Sequence, residues 1–252
     1  VTFPADAYLE RIGASRDSSL QELQLRHLMS VPFENLSIHL VEPIVLDPVR
    51  LAAKIVERRR GGFCYELNGA FAGLLAELGH DVKLMQGRVI TPEGLGIPYD
   101  HLALRVGPWL VDVGFGSFAH HPLRLDTGDE QKDPAGVFQV VQAPDGDLDV
   151  IKDGVPEYRL DLRPRELRDF TAGCWWHTTS PLSHFTRKTV CSLLTADGRI
   201  TLSGKTLTRT VEGVATKREL AGDDEIRAAY RELFGIVLEP SDLRLLAAVT
   251  PA

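Results

Sequence analysis

Arg60-Gly61-Gly62-Phe63-Cys64-Tyr65-Glu66 sets one thiol at the mouth of a helix. The two glycines permit positive φ and a close backbone approach just before the first turn. After them Cys64, Leu67, Phe71, Leu74 and Leu78 recur at the three-to-four spacing of one helical face, and Gly79 sits where a C′ glycine stops a helix. Cys64 therefore falls in the first turn, where unpaired N–H groups and the helix dipole favour an anion. A thiolate is that anion, and it is the form that attacks carbonyl carbon. The competing reading is a buried thiol packed as a small hydrophobe, since Cys64 lies on the apolar stripe.

Working outward, the chain is helical up to about Leu78. Leu20, Leu23, Leu25, Leu28 and Met29 predict one amphipathic helix. Asp47 to Arg59 predicts another, with Asp47 as N-cap and Pro48 at N1. Its basic end, Glu57-Arg58-Arg59-Arg60, reads as a solvated face, with Arg60 left as a candidate brace of the Cys64 loop. From Val82 to Ser203 the pattern changes to short β-rich runs, among them 82–90, 136–142 and 190–194. The dipeptides Asp145-Gly146, Asp153-Gly154 and Asp197-Gly198 punctuate them. Asp126 to Pro134 reads as a polar surface loop. In the tail, Val214 to Arg218 reads as a strand, and Ile226, Ala229, Tyr230 and Leu233 as the apolar face of a helix capped by Asp223 or Asp224 and stopped by Gly235. The expectation is an α+β fold: an N-terminal helical bundle over 1–81, a central β-barrel over 82–203 and a small C-terminal α/β lid over 204–252.

A candidate base and orienter lie in the β region. His101 to Val106, Gly107-Pro108 and Trp109 to Val113 read as a β-hairpin. A two- or four-residue loop gives a register in which paired residue numbers sum to 215. Asp112 then lies opposite Ala103, diagonal to His101 on one face, within reach of a hydrogen bond. A three-residue loop with a bulge would put Asp112 on the other face. In the favourable register Asp112 fixes the imidazole tautomer, His101 takes the thiol proton and Cys64 attacks an acyl donor. The plainer alternative is an edge-strand histidine and a solvated aspartate.

Together these residues resemble the arylamine N-acetyltransferase family. Tyr8-Leu-Glu-Arg11-Ile-Gly is similar to its N-terminal signature, and His27 to Leu36, containing Pro-Phe33-Glu34-Asn35-Leu, to a second motif. Arg60 to Asn68 resembles the nucleophile motif, and His101 with Val111-Asp112-Val-Gly114-Phe115-Gly116 those of the other two triad members. Thr179 to Phe185 is similar to the segment leading towards the third domain. The resemblance implies a cysteine-proteinase-like Cys-His-Asp arrangement and a ping-pong reaction. Acetyl-CoA, a co-substrate rather than a bound cofactor, acetylates Cys64, and an arylamine or hydrazine takes the acetyl group. It further implies that Phe33, Phe115, Gly116, Ser117 and Phe185 lie near the substrates, and that Arg11 and Glu34 form a buried pair beside the site. The family also contains amide synthases that release a carrier-bound polyketide chain as a macrolactam, in which case an acyl carrier protein becomes a partner. Two further rivals are a cysteine hydrolase or transglutaminase-like enzyme, since the same triad cleaves amides on other scaffolds, and a small-molecule binding module in which Cys64 is merely buried.

Composition excludes other classes. Of 252 residues, 44 % are hydrophobic and 25 % charged, as in ordinary globular proteins. The net charge of −7 disfavours non-specific nucleic-acid binding. Three cysteines cannot all pair within one chain, so a reducing cytoplasm is the expected location. No apolar stretch is long enough to span a membrane, and Val1 to Asp6 lacks the basic and apolar regions of a secretory signal. His120-His121 with His101 lacks the ligand set a metal requires. Trp175 and Trp176 read as core aromatics, and Cys174 and Cys191 as buried thiols.

Overall fold

The computed structural model describes residues 2–247. Its N-terminal layer contains α1 (Ala5–Ile12), α2 (Leu20–Ser30), β1 (Phe33–Glu34), α3 (Leu36–His39), α4 (Pro48–Val56) and α5 (Cys64–Glu77). Asp47 caps α4 by accepting from the Arg50 N–H at 3.0 Å, with Pro48 in the first turn. Eleven of the fourteen residues of α5 are buried, so it is the central helix, and α1, α2 and α4 pack around it. The helix stops at Gly79, whose φ of 86° suits glycine.

The central sheet contains β2 (Val82–Thr91), β3 (Gly94–Leu95), β4 (His101–Val106), β5 (Trp109–Val111), β6 (Leu123–Arg124), β7 (Gln131–Asp133), β8 (Gly136–Gln142), β9 (Leu148–Lys152) and β10 (Val155–Arg165). Its order is β6-β5-β4-β2-β10-β9-β8-β7, with β3 paired to β2. The sheet curls until its two edge strands meet. There the Gln131 amide bridges the gap, accepting from the Arg124 N–H at 2.6 Å and donating to the Arg124 carbonyl at 2.9 Å. The barrel interior is filled by Met85, Ala103, Phe118, Phe138, Val150 and Tyr158, all buried. Strand β4 is buried on both faces: Ala103 points into the barrel, while Leu102, Leu104 and Val106 join the core around α5.

The chain then forms α6 (Thr171–Thr179) and a second sheet of β11 (Val190–Thr195), β12 (Gly198–Ser203), β13 (Thr206–Val211) and β14 (Val214–Glu219). Strand β1, from the helical layer, completes its edge beside β11. α7 (Asp223–Phe234) and α8 (Pro240–Ala247) accompany it, with Ile226, Tyr230, Phe234 and Leu243 in its core.

Several expectations need amendment. The expected boundary at 203/204 falls between two hydrogen-bonded strands, β12 and β13, joined by the tight turn at Gly204. Gly222, in extended conformation, is the N-cap of α7, and neither Asp223 nor Asp224 caps it. Trp175 is 67 % exposed, because α6 turns Gly173, Cys174 and His177 inward and so points residue 175 outward. The supposed loop 126–134 contains β7, and its Asp133 carboxylate accepts from the His120 and His121 N–H groups.

Candidate active site

Cys64 is the first residue of α5, behind Phe63 as N-cap. Neither glycine before it has positive φ; close approach is what requires them. A Cβ at Gly61 would lie 1.7 Å from the Pro32 carbonyl oxygen, and one at Gly62 would lie 2.5 Å from Glu66 Oε2. The loop is pinned from two sides. The Glu34 N–H donates to the Gly62 carbonyl at 2.8 Å, and Glu66 accepts from the Phe63 N–H at 3.3 Å and from Lys54 at 2.5 Å.

Arg60 is buried and donates to Glu34 at 2.9 Å. Burial opposes the charge on Glu34, but the Arg60 and Lys54 cations, the Arg60 hydrogen bond and the Leu36 N–H outweigh it and hold the pKa at about 2. The expected Arg11–Glu34 pair is therefore not formed, since Arg60 occupies that carboxylate. Arg11 Nε is buried without a hydrogen-bond partner among the described residues. Arg60, expected to be solvated or to brace the loop, braces it.

The β4–β5 hairpin pairs Leu104 with Val111, Arg105 with Leu110 and Val106 with Trp109, each pair summing to 215. Asp112, just past β5, thereby turns to the His101 side, and its Oδ2 lies 2.6 Å from His101 Nε2. Both side chains are almost fully buried. The carboxylate is held by three further donors: Asn68 Nδ2 at 2.8 Å, the Gly114 N–H at 2.9 Å and the Tyr158 hydroxyl at 3.1 Å. In each of these contacts a carboxylate oxygen is the acceptor available.

Cys64 and His101 line one cavity of about 500 Å³. Burial pushes the Cys64 thiol well above its ordinary pKa; the Leu102 N–H pulls it down, and Asp112, Cys174 and Asp100 push it further up. A solitary thiolate is thus disfavoured here, and only a proton acceptor beside it makes the thiolate accessible. Phe33, Phe115 and Phe185 line the same cavity, with ring centroids of Phe115 and His101 5.0 Å apart. Gly116 lies against the Phe33 ring rather than on the wall, and Ser117 is exposed. Among the described residues no group of His, Cys, Asp and Glu has the arrangement of a metal site. No described helix is long and apolar enough to cross a membrane.

Sequence reading missed the residues that hold the dyad. Asn68 stands one turn beyond Cys64, a spacing that could have flagged it. Gln24, whose Oε1 accepts from the Asp112 N–H at 3.4 Å, and Tyr158 arrive from distant segments, and nothing local announces them. Asn35 is another: its side chain donates to the Phe185 and Lys188 carbonyls and accepts from the Val190 N–H, fastening β1 to β11.

The sequence model of the N-acetyltransferase family matches residues 18–243. Curated relatives are arylamine N-acetyltransferases. The enzyme of Mycobacterium tuberculosis H37Rv is 34 % identical, the match covering 91 % of this chain and 88 % of the relative. That of Escherichia coli K12 is 33 % identical, covering 86 % and 82 %. Among solved structures, the Mycobacterium marinum arylamine N-acetyltransferase superposes with a TM-score of 0.89 at 31 % identity, covering 98 % of this chain and 100 % of the other. The same enzyme in complex with CoA gives 0.87 over the same coverage. The family model and the relatives define an acyl-transfer enzyme. The chain belongs to the arylamine N-acetyltransferase family.

Proposed function

We propose that this enzyme transfers an acetyl group from acetyl-CoA, through a thioester on Cys64, to the nitrogen of an arylamine or hydrazine. The observation that carries the reading is the buried His101–Asp112 pair at 2.6 Å opening onto the same cavity as the Cys64 thiol. Because Nε2 is engaged by Asp112, Nδ1 is the nitrogen left to accept the thiol proton. The Cys64 thiolate then attacks the acetyl carbonyl, the bond to the CoA sulfur breaks, and His101 returns the proton to the departing thiolate. In the second half-reaction the amine nitrogen attacks the thioester and gives its proton to His101, and Cys64 leaves as thiolate and is reprotonated.

CoA bound to the Mycobacterium marinum relative supports acetyl-CoA as the donor. The relatives named above are arylamine N-acetyltransferases, and none supports a carrier-protein partner. The triad roles rest on the geometry, the aromatic lining of Phe33, Phe115 and Phe185 suits a flat acceptor, and a cytoplasmic location rests on the three unpaired cysteines.

Intact-protein mass spectrometry tests the reading. Acetyl-CoA should add one acetyl group, about 42 Da, to Cys64, and 4-anisidine should remove it as the amine is acetylated. Cys64→Ala should take up none. Acetyl transfer sustained by Cys64→Ala overturns the nucleophile assignment.

A further inference from the structure

The cavity contains a second histidine–aspartate pair that the acetylation chemistry does not use. Asp100 and His177 both line it, and Asp100 Oδ1 lies 2.9 Å from His177 Nε2. Their placement is built rather than incidental. Tyr65 donates through its hydroxyl to the carbonyls of Tyr99 at 2.6 Å and Asp100 at 3.1 Å. α6 comes so close that a Cβ on Gly173 would lie 2.5 Å from the Tyr99 oxygen.

The hydrogen bonds fix the orientation of the pair. Ser183 Oγ accepts from the Phe185 N–H at 3.2 Å and lies 3.3 Å from His177 Nδ1. His177 Nε2 faces the Asp100 carboxylate, and Ser183 holds the ring from its other nitrogen. Asp100 also accepts from the Val89 N–H at 3.1 Å. No Lys or Arg forms an ion pair with it among the described residues. A carboxylate side chain only 10 % exposed therefore stands on the cavity wall without a Lys or Arg partner, in a lining that includes Phe33, Phe115 and Phe185. Such a group is stabilised most by a hydrogen-bond donor that also carries positive charge. His184 and Lys188, the ionisable lining groups besides Cys64, His101 and this pair, are exposed residues.

We infer that Asp100, held by His177, is an acceptor-selecting group that favours arylamines carrying a second, cationic or N–H-rich nitrogen remote from the one acetylated. The inference rests on the acetyl-transfer reading above. Its test compares two near-isosteric acceptors, 4-aminobenzylamine, an ammonium at neutral pH, and 4-ethylaniline, in which methyl replaces it. The readout is the ratio of their kcat/KM values for arylamine acetylation. Each ratio is internal to one protein, so any loss in acetyl-enzyme formation cancels. The wild type should favour the ammonium acceptor, and Asp100→Asn should reduce the ratio about tenfold, mainly through KM. A wild type that favours 4-ethylaniline, or a ratio unchanged in Asp100→Asn, overturns the inference. Failure of acetyl-CoA to acetylate wild-type Cys64 is a different result and overturns the underlying reading instead.

Discussion

Asn68 donates to Asp112 at 2.8 Å and to the Leu102 carbonyl at 2.6 Å, while its own oxygen accepts from the Val113 N–H at 3.0 Å. One amide on the helix that starts with Cys64 thus grips both strands of the hairpin that carries His101 and Asp112. Cys64 and the His101–Asp112 pair are thus registered through a residue that bonds to neither the thiol nor the imidazole. Asn68→Ala should lower kcat by about ten- to a hundredfold through misplaced partners, and cost about 1–3 kcal/mol of stability from the unsatisfied groups left behind. Asp112→Asn should leave the fold intact and cut kcat by about 10⁴, as loss of the orienting carboxylate does in a serine triad. Steady-state kinetics beside urea midpoints separate the two effects. Near-normal rates for Asp112→Asn would remove that residue from the mechanism.

Gly114 marks where the barrel touches the nucleophile. A Cβ there would lie 2.7 Å from both Cys64 Cα and Asn68 Nδ2. Gly114→Ala must push α5 and the hairpin apart, since a Cβ does not approach a backbone carbon that closely. The expected outcome is a kcat reduced at least tenfold with a far smaller change in acceptor KM. Wild-type kcat in a folded Gly114→Ala protein would mean that the contact relaxes without moving Cys64.

The Glu34 cluster places three partners in one buried network: Arg60 at 2.9 Å, Lys54 at 4.0 Å and, through Lys54, Glu66. Glu34→Gln takes the fully buried carboxylate from Arg60, which keeps only a 3.4 Å contact to Glu42, while Lys54 keeps Glu66; it should destabilise the protein by about 3–5 kcal/mol at neutral pH. The midpoint of urea unfolding measures it. A loss under about 1 kcal/mol would mean that water or Glu42 compensates Arg60.

Acid should weaken the fold through His27. The ring is fully buried, accepts from the Tyr8 hydroxyl at Nδ1 over 3.1 Å and packs edge-on to Phe71. Burial first, then the Arg11 charge, push its pKa down to about 3. Because the folded pKa lies below the unfolded value near 6.5, His27 contributes its full stability above about pH 6.5. That contribution is lost as pH falls towards 3, at about 1.4 kcal/mol per pH unit. In urea melts at pH 7.5 and 5, wild type should lose about 2 kcal/mol more than His27→Gln over that interval. Equal losses would show that His27 titrates alike in both states.

Local chemistry was legible in the sequence, and tertiary partnership was not. Apolar spacing and Gly79 located α5 to within a residue, because both signals act inside one helix. The hairpin register was legible only on the condition of a two- or four-residue loop, which the structure has, and it brought His101 and Asp112 together. By contrast, Glu34 and its partner Arg60 are 26 positions apart, and Arg11 offered the same charge, so sequence could not choose between them. Gln24, Asn68 and Tyr158 meet Asp112 only because the helical layer packs on the barrel. Trp175 looked like core because aromatics usually are, but the inward stripe of α6 is set by Gly173, Cys174 and His177.

The Gln131 bridge has a meaning beyond geometry. An open sheet edge offers a row of bare N–H and C=O groups to any other extended chain, and β6 and β7 are such edges. By taking both backbone groups of Arg124 with its own amide, Gln131 imitates a neighbouring strand and leaves an intruder nothing to pair with at that position. A single uncharged side chain thus discourages molecule-to-molecule strand addition at the one place where this barrel fails to complete its ladder.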